Sequence, residues 1–67
     1  MKTRLKDLRE DHDLTQHDIS QILKCSQRSY GHYEVGDREL PLEYLTVLAD
    51  YYNVTTDYIL CRTNKKK

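Results

Sequence analysis

The chain has 67 residues, 37% of them hydrophobic and 33% charged, and its eleven basic and eleven acidic residues leave no net charge. A chain of this size has room for one hydrophobic core, not two. Leu, Ile and Val number fifteen, with no Phe or Trp, so the core must be dense and largely local.

Several classes fall away. No run approaches the roughly 18 apolar residues of a membrane span. The start, Met1-Lys2-Thr3-Arg4-Leu5-Lys6-Asp7, leads into no apolar stretch of a secretory signal. Cys25 and Cys61 form no Cys-x-x-Cys pair, and His12, His17 and His32 lack zinc-finger spacing. The expectation is a cytoplasmic protein with reduced thiols, no metal and no cofactor. No nucleophile–base pair, carboxylate dyad or phosphate loop is visible, so an enzyme is not expected. The neutral charge argues on its face against nucleic acid as well.

The sparse turn chemistry, Gly31, Gly36 and Pro41, favours an all-α domain. Thr3 is the expected cap of a first helix running to about Asp11, with Leu5 and Leu8 inward. His12-Asp13 ends it, Asp13 being a tolerable left-handed residue. Thr15 caps a second helix over 16–23, with Asp18 three residues on as its capping-box partner. Ile19, Ile22 and Leu23 mark its buried side. Lys24-Cys25 makes a tight turn, and Ser26 caps a third helix over 27–34 with Tyr30 and Tyr33 inward.

Residues 35–40 read as a loop. Pro41 suits the first position of a fourth helix, whose buried face is Leu42, Leu45, Leu48, Ala49 and Tyr52. Asn53-Val54 breaks that helix, and Thr55 caps a short fifth one with Asp57 in its first turn. Residues 1–62 are expected to form the domain and 63–67 a basic polar tail.

Two short helices joined by a tight turn outline a helix-turn-helix, which by geometry alone is common. The residues say more. Leu14-Thr15-Gln16, then Tyr33-Glu34-Val35-Gly36-Asp37-Arg38, then the closing run from Leu48 to Leu60 appear in order. In these three segments the chain resembles the Cro and lambda-repressor-like family of bacterial and phage transcription regulators. The likeness runs from Arg4 to Thr63. It implies a compact five-helix domain whose helices two and three form the helix-turn-helix, with helix three as the recognition helix.

The resemblance puts Gln27, Arg28, Ser29 and His32 toward base edges in the major groove. Gln pairs bidentately with adenine and Arg with guanine; Ser29 suits a base or a phosphate. It puts Gln16 against a phosphate at the start of helix two, with His17 beside it, and makes Arg38 a second phosphate clamp. Tyr33 is read as core with a hydroxyl able to reach the DNA backbone. Arg9 and Glu34 match a structural ion pair that fixes the pose of helix three.

Four residues depart from the family pattern. Ser20 stands for alanine and needs a hydroxyl partner. Lys24 stands for glycine in the turn. Gly31 lies inside the recognition helix, where close approach to DNA is its expected gain. Cys61 replaces the glycine that ends helix five. Cys25 is read as a small core residue, with redox sensing by either cysteine the open alternative.

Helix four carries a second apolar stripe, Tyr44, Val47 and Tyr51, about a third of a turn round from the first. Two readings are open. These side chains are half-buried against neighbouring helices, or with Tyr58 and Ile59 they form a dimer surface. The functional expectation is a sequence-specific, double-stranded-DNA-binding transcription regulator, a repressor of the bacterial nucleoid, acting as a homodimer on a palindromic operator. The alternative is a protein-interaction module, such as an antitoxin-like helical domain. Split by segment, the charge no longer opposes DNA. Residues 14–33 sum to plus one, whereas 34–60 set six acidic residues against Arg38.

Overall fold

The computed structural model describes residues 2–67, and five helices follow one another in it: α1 (Leu5–Asp11), α2 (Gln16–Leu23), α3 (Gln27–Val35), α4 (Leu42–Tyr52) and α5 (Thr56–Ile59). No strand occurs among the described residues.

Hydroxyl side chains start three of the helices. Thr15 Oγ1 accepts from the Asp18 amide at 3.1 Å, and Asp18 Oδ2 accepts from the Thr15 amide at 2.9 Å. That closed capping box satisfies donors the first turn would otherwise leave bare, and holds the Asp18 carboxyl below its ordinary pKa. Ser26 caps α3 through the Ser29 amide, and Thr55 caps α5 through the Tyr58 amide.

Left-handed residues follow α1, α2, α4 and α5. Asp13 (φ 55°) and Asn53 (φ 57°) carry short polar side chains that tolerate this region. Lys24 (φ 58°) and Cys61 (φ 62°) do not share that tolerance. The turn between α2 and α3 therefore takes the shape a glycine would give it, but with a lysine in place. Gly36 (φ 87°) ends α3 in the conformation glycine adopts freely.

The core gathers Leu5 and Leu8 of α1, Ile19 and Leu23 of α2, Tyr30 of α3, Leu45, Leu48, Ala49 and Tyr52 of α4, and Ile59 of α5. Leu5, Ile19, Tyr30, Leu48 and Ile59 are wholly withdrawn from solvent. Each contributes roughly 1.5–3 kcal/mol by burial. Ser20 is buried among them, and its hydroxyl donates to the His17 carbonyl at 2.7 Å, so it needs nothing from outside its own helix. His12 Nδ1 donates to the Leu8 carbonyl at 2.8 Å, and its ring lies 4.9 Å from that of Tyr52.

The structure differs from the sequence expectation in five places. The N-cap of α1 is Arg4, not Thr3, whose hydroxyl makes only a 3.4 Å contact with the Leu5 amide. Helix α3 runs one residue further, to Val35. Pro41 is the N-cap of α4 rather than its first turn residue; its extended ψ of 145° keeps it outside the helix. Leu42 is 71% exposed because Leu40, just before the proline, takes the core position instead. Ile59, counted toward a dimer surface, is fully buried, because the single turn of α5 packs its apolar side onto the core.

Arg4 ties the beginning of the fold to its end. Its amide donates to the Ile59 carbonyl at 2.8 Å. Its guanidinium donates to the Tyr58 carbonyl (2.8 Å), the Thr63 carbonyl (3.1 Å) and Asn64 Oδ1 (3.0 Å). It also lies 4.4 Å from the centre of the Tyr58 ring, in cation–π range. The Thr55 amide donates to the Lys66 carbonyl at 2.8 Å, so the basic tail lies against α5.

Lys24→Gly is expected to raise the unfolding free energy by about 1 kcal/mol, because only the lysine bears the left-handed penalty. Urea denaturation checks this; a lower midpoint would show that the lysine side chain supplies a compensating contact.

Candidate nucleic-acid interface

The centre of the site is one carboxylate. Glu34, on the last turn of α3, has a side chain only 3% exposed and meets the 14% exposed side chain of Arg9 from α1. Arg9 Nε donates to Glu34 Oε2 at 2.6 Å and Arg9 Nη2 to Oε1 at 3.2 Å, a two-pronged pair. The third prong, Nη1, donates to the Leu14 carbonyl at 2.9 Å, so the same guanidinium also holds the chain entering α2.

Gln16 Nε2 reaches Glu34 Oε1 at 3.3 Å. The wholly buried Tyr30 brings its hydroxyl toward the same carboxylate, short of a fully formed hydrogen bond. Burial opposes ionisation of Glu34, but Arg9, Tyr30 and Gln16 together outweigh it and hold the carboxyl below its ordinary pKa. Burial, then the Glu34 charge, pushes the Tyr30 phenol far upward, so it stays protonated. The bond to Glu34 raises the Arg9 pKa against a burial that lowers it.

This pinning sets α3 against α2 and leaves the start of α3 free. Gln27 and Arg28 are exposed there, and their side chains make no hydrogen bond or ion pair among the described residues. Ser29, expected beside them, has its hydroxyl bonded to Ser26 Oγ at 2.9 Å and its amide in the cap. His32, one turn on, is half-exposed, and its Nδ1 lies 3.4 Å from Asp37 Oδ2. Its expected role as a donor thus has an intramolecular competitor.

Of the residues expected at phosphates, His17 and Arg38 are exposed, Arg38 in the loop after α3. Gln16 is half-buried and tied to Glu34. Tyr33 is half-buried against the core, its ring 5.9 Å from that of Tyr44 in an edge-on arrangement. That contact makes Tyr44 an internal neighbour of α3. Tyr58 is half-buried beneath Arg4. Val47 (41%) and Tyr51 (47%) are the members of the second stripe that stay exposed.

Burial pushes the Cys25 thiol pKa up, which disfavours the thiolate form. The bond from Gln16 to Glu34 and the Arg4 clasp lay outside what sequence spacing signals, since their partners lie 18 and more positions apart.

This framework of five helices, with α2 and α3 docked through a left-handed turn, finds a match. Residues 5–59 match the family described as Helix-turn-helix. The chain belongs to that family, in its Cro and C1 type. Membership makes it a DNA-binding domain of the kind found in transcription regulators, and not an enzyme.

The domain is 39% identical over 61 residues to the "uncharacterized HTH-type transcriptional regulator YobD" of Bacillus subtilis, covering 91% of this chain and 54% of that protein. It is 34% identical over 61 residues to the "SPbeta prophage-derived uncharacterized HTH-type transcriptional regulator YonR" of the same organism, covering 91% of this chain and 56% of that protein. The helix-turn-helix chain thus spans about half the length of the curated relatives it matches. No solved structure matches it with significance. No helix among its described residues is long and apolar enough to cross a membrane.

Glu34→Ala strands the Arg9 charge and is expected to cost about 3–5 kcal/mol of stability. Because the folded pKa of Glu34 is depressed, the unfolded chain binds the proton more readily. Stability is therefore full at neutral pH and falls as the pH drops from the ordinary value of 4.5 through the lower folded one. Denaturant titrations of both proteins at neutral and acid pH check this: the gap between them should narrow in acid, and a gap independent of pH would contradict it.

Proposed function

We propose that this domain is the DNA-reading head of a sequence-specific transcription regulator, a repressor, that lays α3 in the major groove of double-stranded DNA. The observation that carries the reading is the pair Gln27 and Arg28, exposed and unpartnered at the start of a capped helix whose other end is locked by Glu34. Both side chains suit bidentate recognition, of adenine and guanine respectively. Both relatives carry the name of a transcriptional regulator, which supports the same class.

His32 and Ser29 serve as secondary base contacts, after giving up Asp37 and Ser26 in turn. Gln16, His17, Tyr33 and Arg38 face phosphates and set the register. Residues 1–62 act as the reading unit, with the nucleoid as the place of action. The backbone of the tail 63–67 is held at Lys66 by the Thr55 amide that precedes α5.

A single small reading head buries little surface, so a homodimer on two half-sites supplies the remaining affinity. Val47 and Tyr51, with the edges of Tyr44 and Tyr58, form its contact. Ile59 belongs to the core and takes no part.

Arg28→Ala is expected to relax preference at one base position by about 1–3 kcal/mol, read by selection from a random DNA pool. Arg38→Ala should weaken binding to all sequences alike and lower the salt slope by about 1. Unchanged preference in Arg28→Ala would remove α3 from the major groove. Sedimentation on a selected duplex should show two protomers; a 1:1 complex would exclude the dimer.

A further inference from the structure

Glu34 accepts at both oxygens and still has Gln16 to hold. Oε2 takes Arg9 Nε at 2.6 Å, while Oε1 takes Arg9 Nη2 at 3.2 Å and Gln16 Nε2 at 3.3 Å. A carboxylate only accepts, so the nitrogen of the Gln16 amide must face it. One N–H of that amide is thereby committed. The other makes no hydrogen bond among the described residues. The amide also lies over α3 at Gly31, where an added Cβ would stand 3.6 Å from Gln16 Oε1 and 3.9 Å from Nε2. The Arg9 charge neutralises the carboxylate, so the free donor is offered without an unbalanced negative charge beside it.

We propose that Glu34 is a positioning residue for DNA binding: it holds the Gln16 amide so that its remaining N–H serves a backbone phosphate at the start of α2. The inference rests on the DNA-binding function proposed above. A glutamine free at the surface loses its rotamer freedom when DNA arrives; one held by Glu34 has lost it on folding already. The pair that docks α1 on α3 therefore also prepares a phosphate contact on α2. That contact is independent of base sequence.

The test is a double-mutant cycle on a mixed-sequence duplex at low salt, for which no operator is needed. Gln16→Ala in the otherwise natural protein should weaken binding about tenfold. A paired Arg9→Met and Glu34→Leu replacement removes the holder without stranding a charge. In that background Gln16→Ala should cost no more than about twofold. About tenfold losses in both backgrounds would overturn the proposal, as would a harmless Gln16→Ala. Thermal melting verifies that each variant is folded.

If the paired replacement fails to fold, the natural protein decides by NMR. The Gln16 side-chain amide signals should move with the protonation of Glu34, at pH values below the ordinary carboxyl range. Signals that stay flat through that titration overturn the proposal. A natural protein that binds no duplex at low salt overturns the DNA reading itself, while the amide titration still reports whether Glu34 holds Gln16.

Discussion

One buried ion pair organises the domain. Arg9 and Glu34 join the first helix to the end of the third, and a third guanidinium bond holds the chain entering the second. An ion pair so little exposed is not a strong source of net stability, because desolvating two charges offsets their attraction. Its effect is selective. It penalises any arrangement of α1, α2 and α3 in which the two charges do not meet. Helix α3 is held at its far end, and Gln27 and Arg28 at its start are left exposed.

The sequence was most informative where chemistry is local. Thr15, Asp18, Ser26, Thr55, Asp13 and Asn53 announce helix boundaries through side-chain bonds or left-handed backbone within a few residues, and all of them sit where expected. The core stripes follow from the 3.6-residue period. The misplacements came at helix ends, where period gives no guidance. Leu40 and Leu42 flank a proline with equal apolar character, and only the extended backbone at Pro41 decides that the first goes inward. Ile59 looked available because a one-turn helix has too few residues to display a face.

The candidate site was legible in a different degree. Membership in the Helix-turn-helix family fixes which helices form the motif. Gln27, Arg28 and Arg38 are exposed, which is what the roles proposed for them require. The engagements of Ser29 with Ser26, His32 with Asp37 and Gln16 with Glu34 were not legible. Each depends on rotamers or on pairings across the fold, and residue type alone specifies neither. Ser29 and His32 would have to exchange one partner for another, whereas Gln16 can keep Glu34 and still offer a second N–H.

The Arg4 clasp gives the domain an unusual closure. One residue at the start of the fold holds backbone carbonyls of Tyr58, Ile59 and Thr63 near its end. Helical domains ordinarily fray from their termini, because the outermost turns have neighbours on one side only. Here the two outermost turns are each other's neighbours. The first helix cannot peel away without breaking the bonds that hold α5 and the segment after it. For a single small core, that converts its weakest margins into part of one cooperative unit.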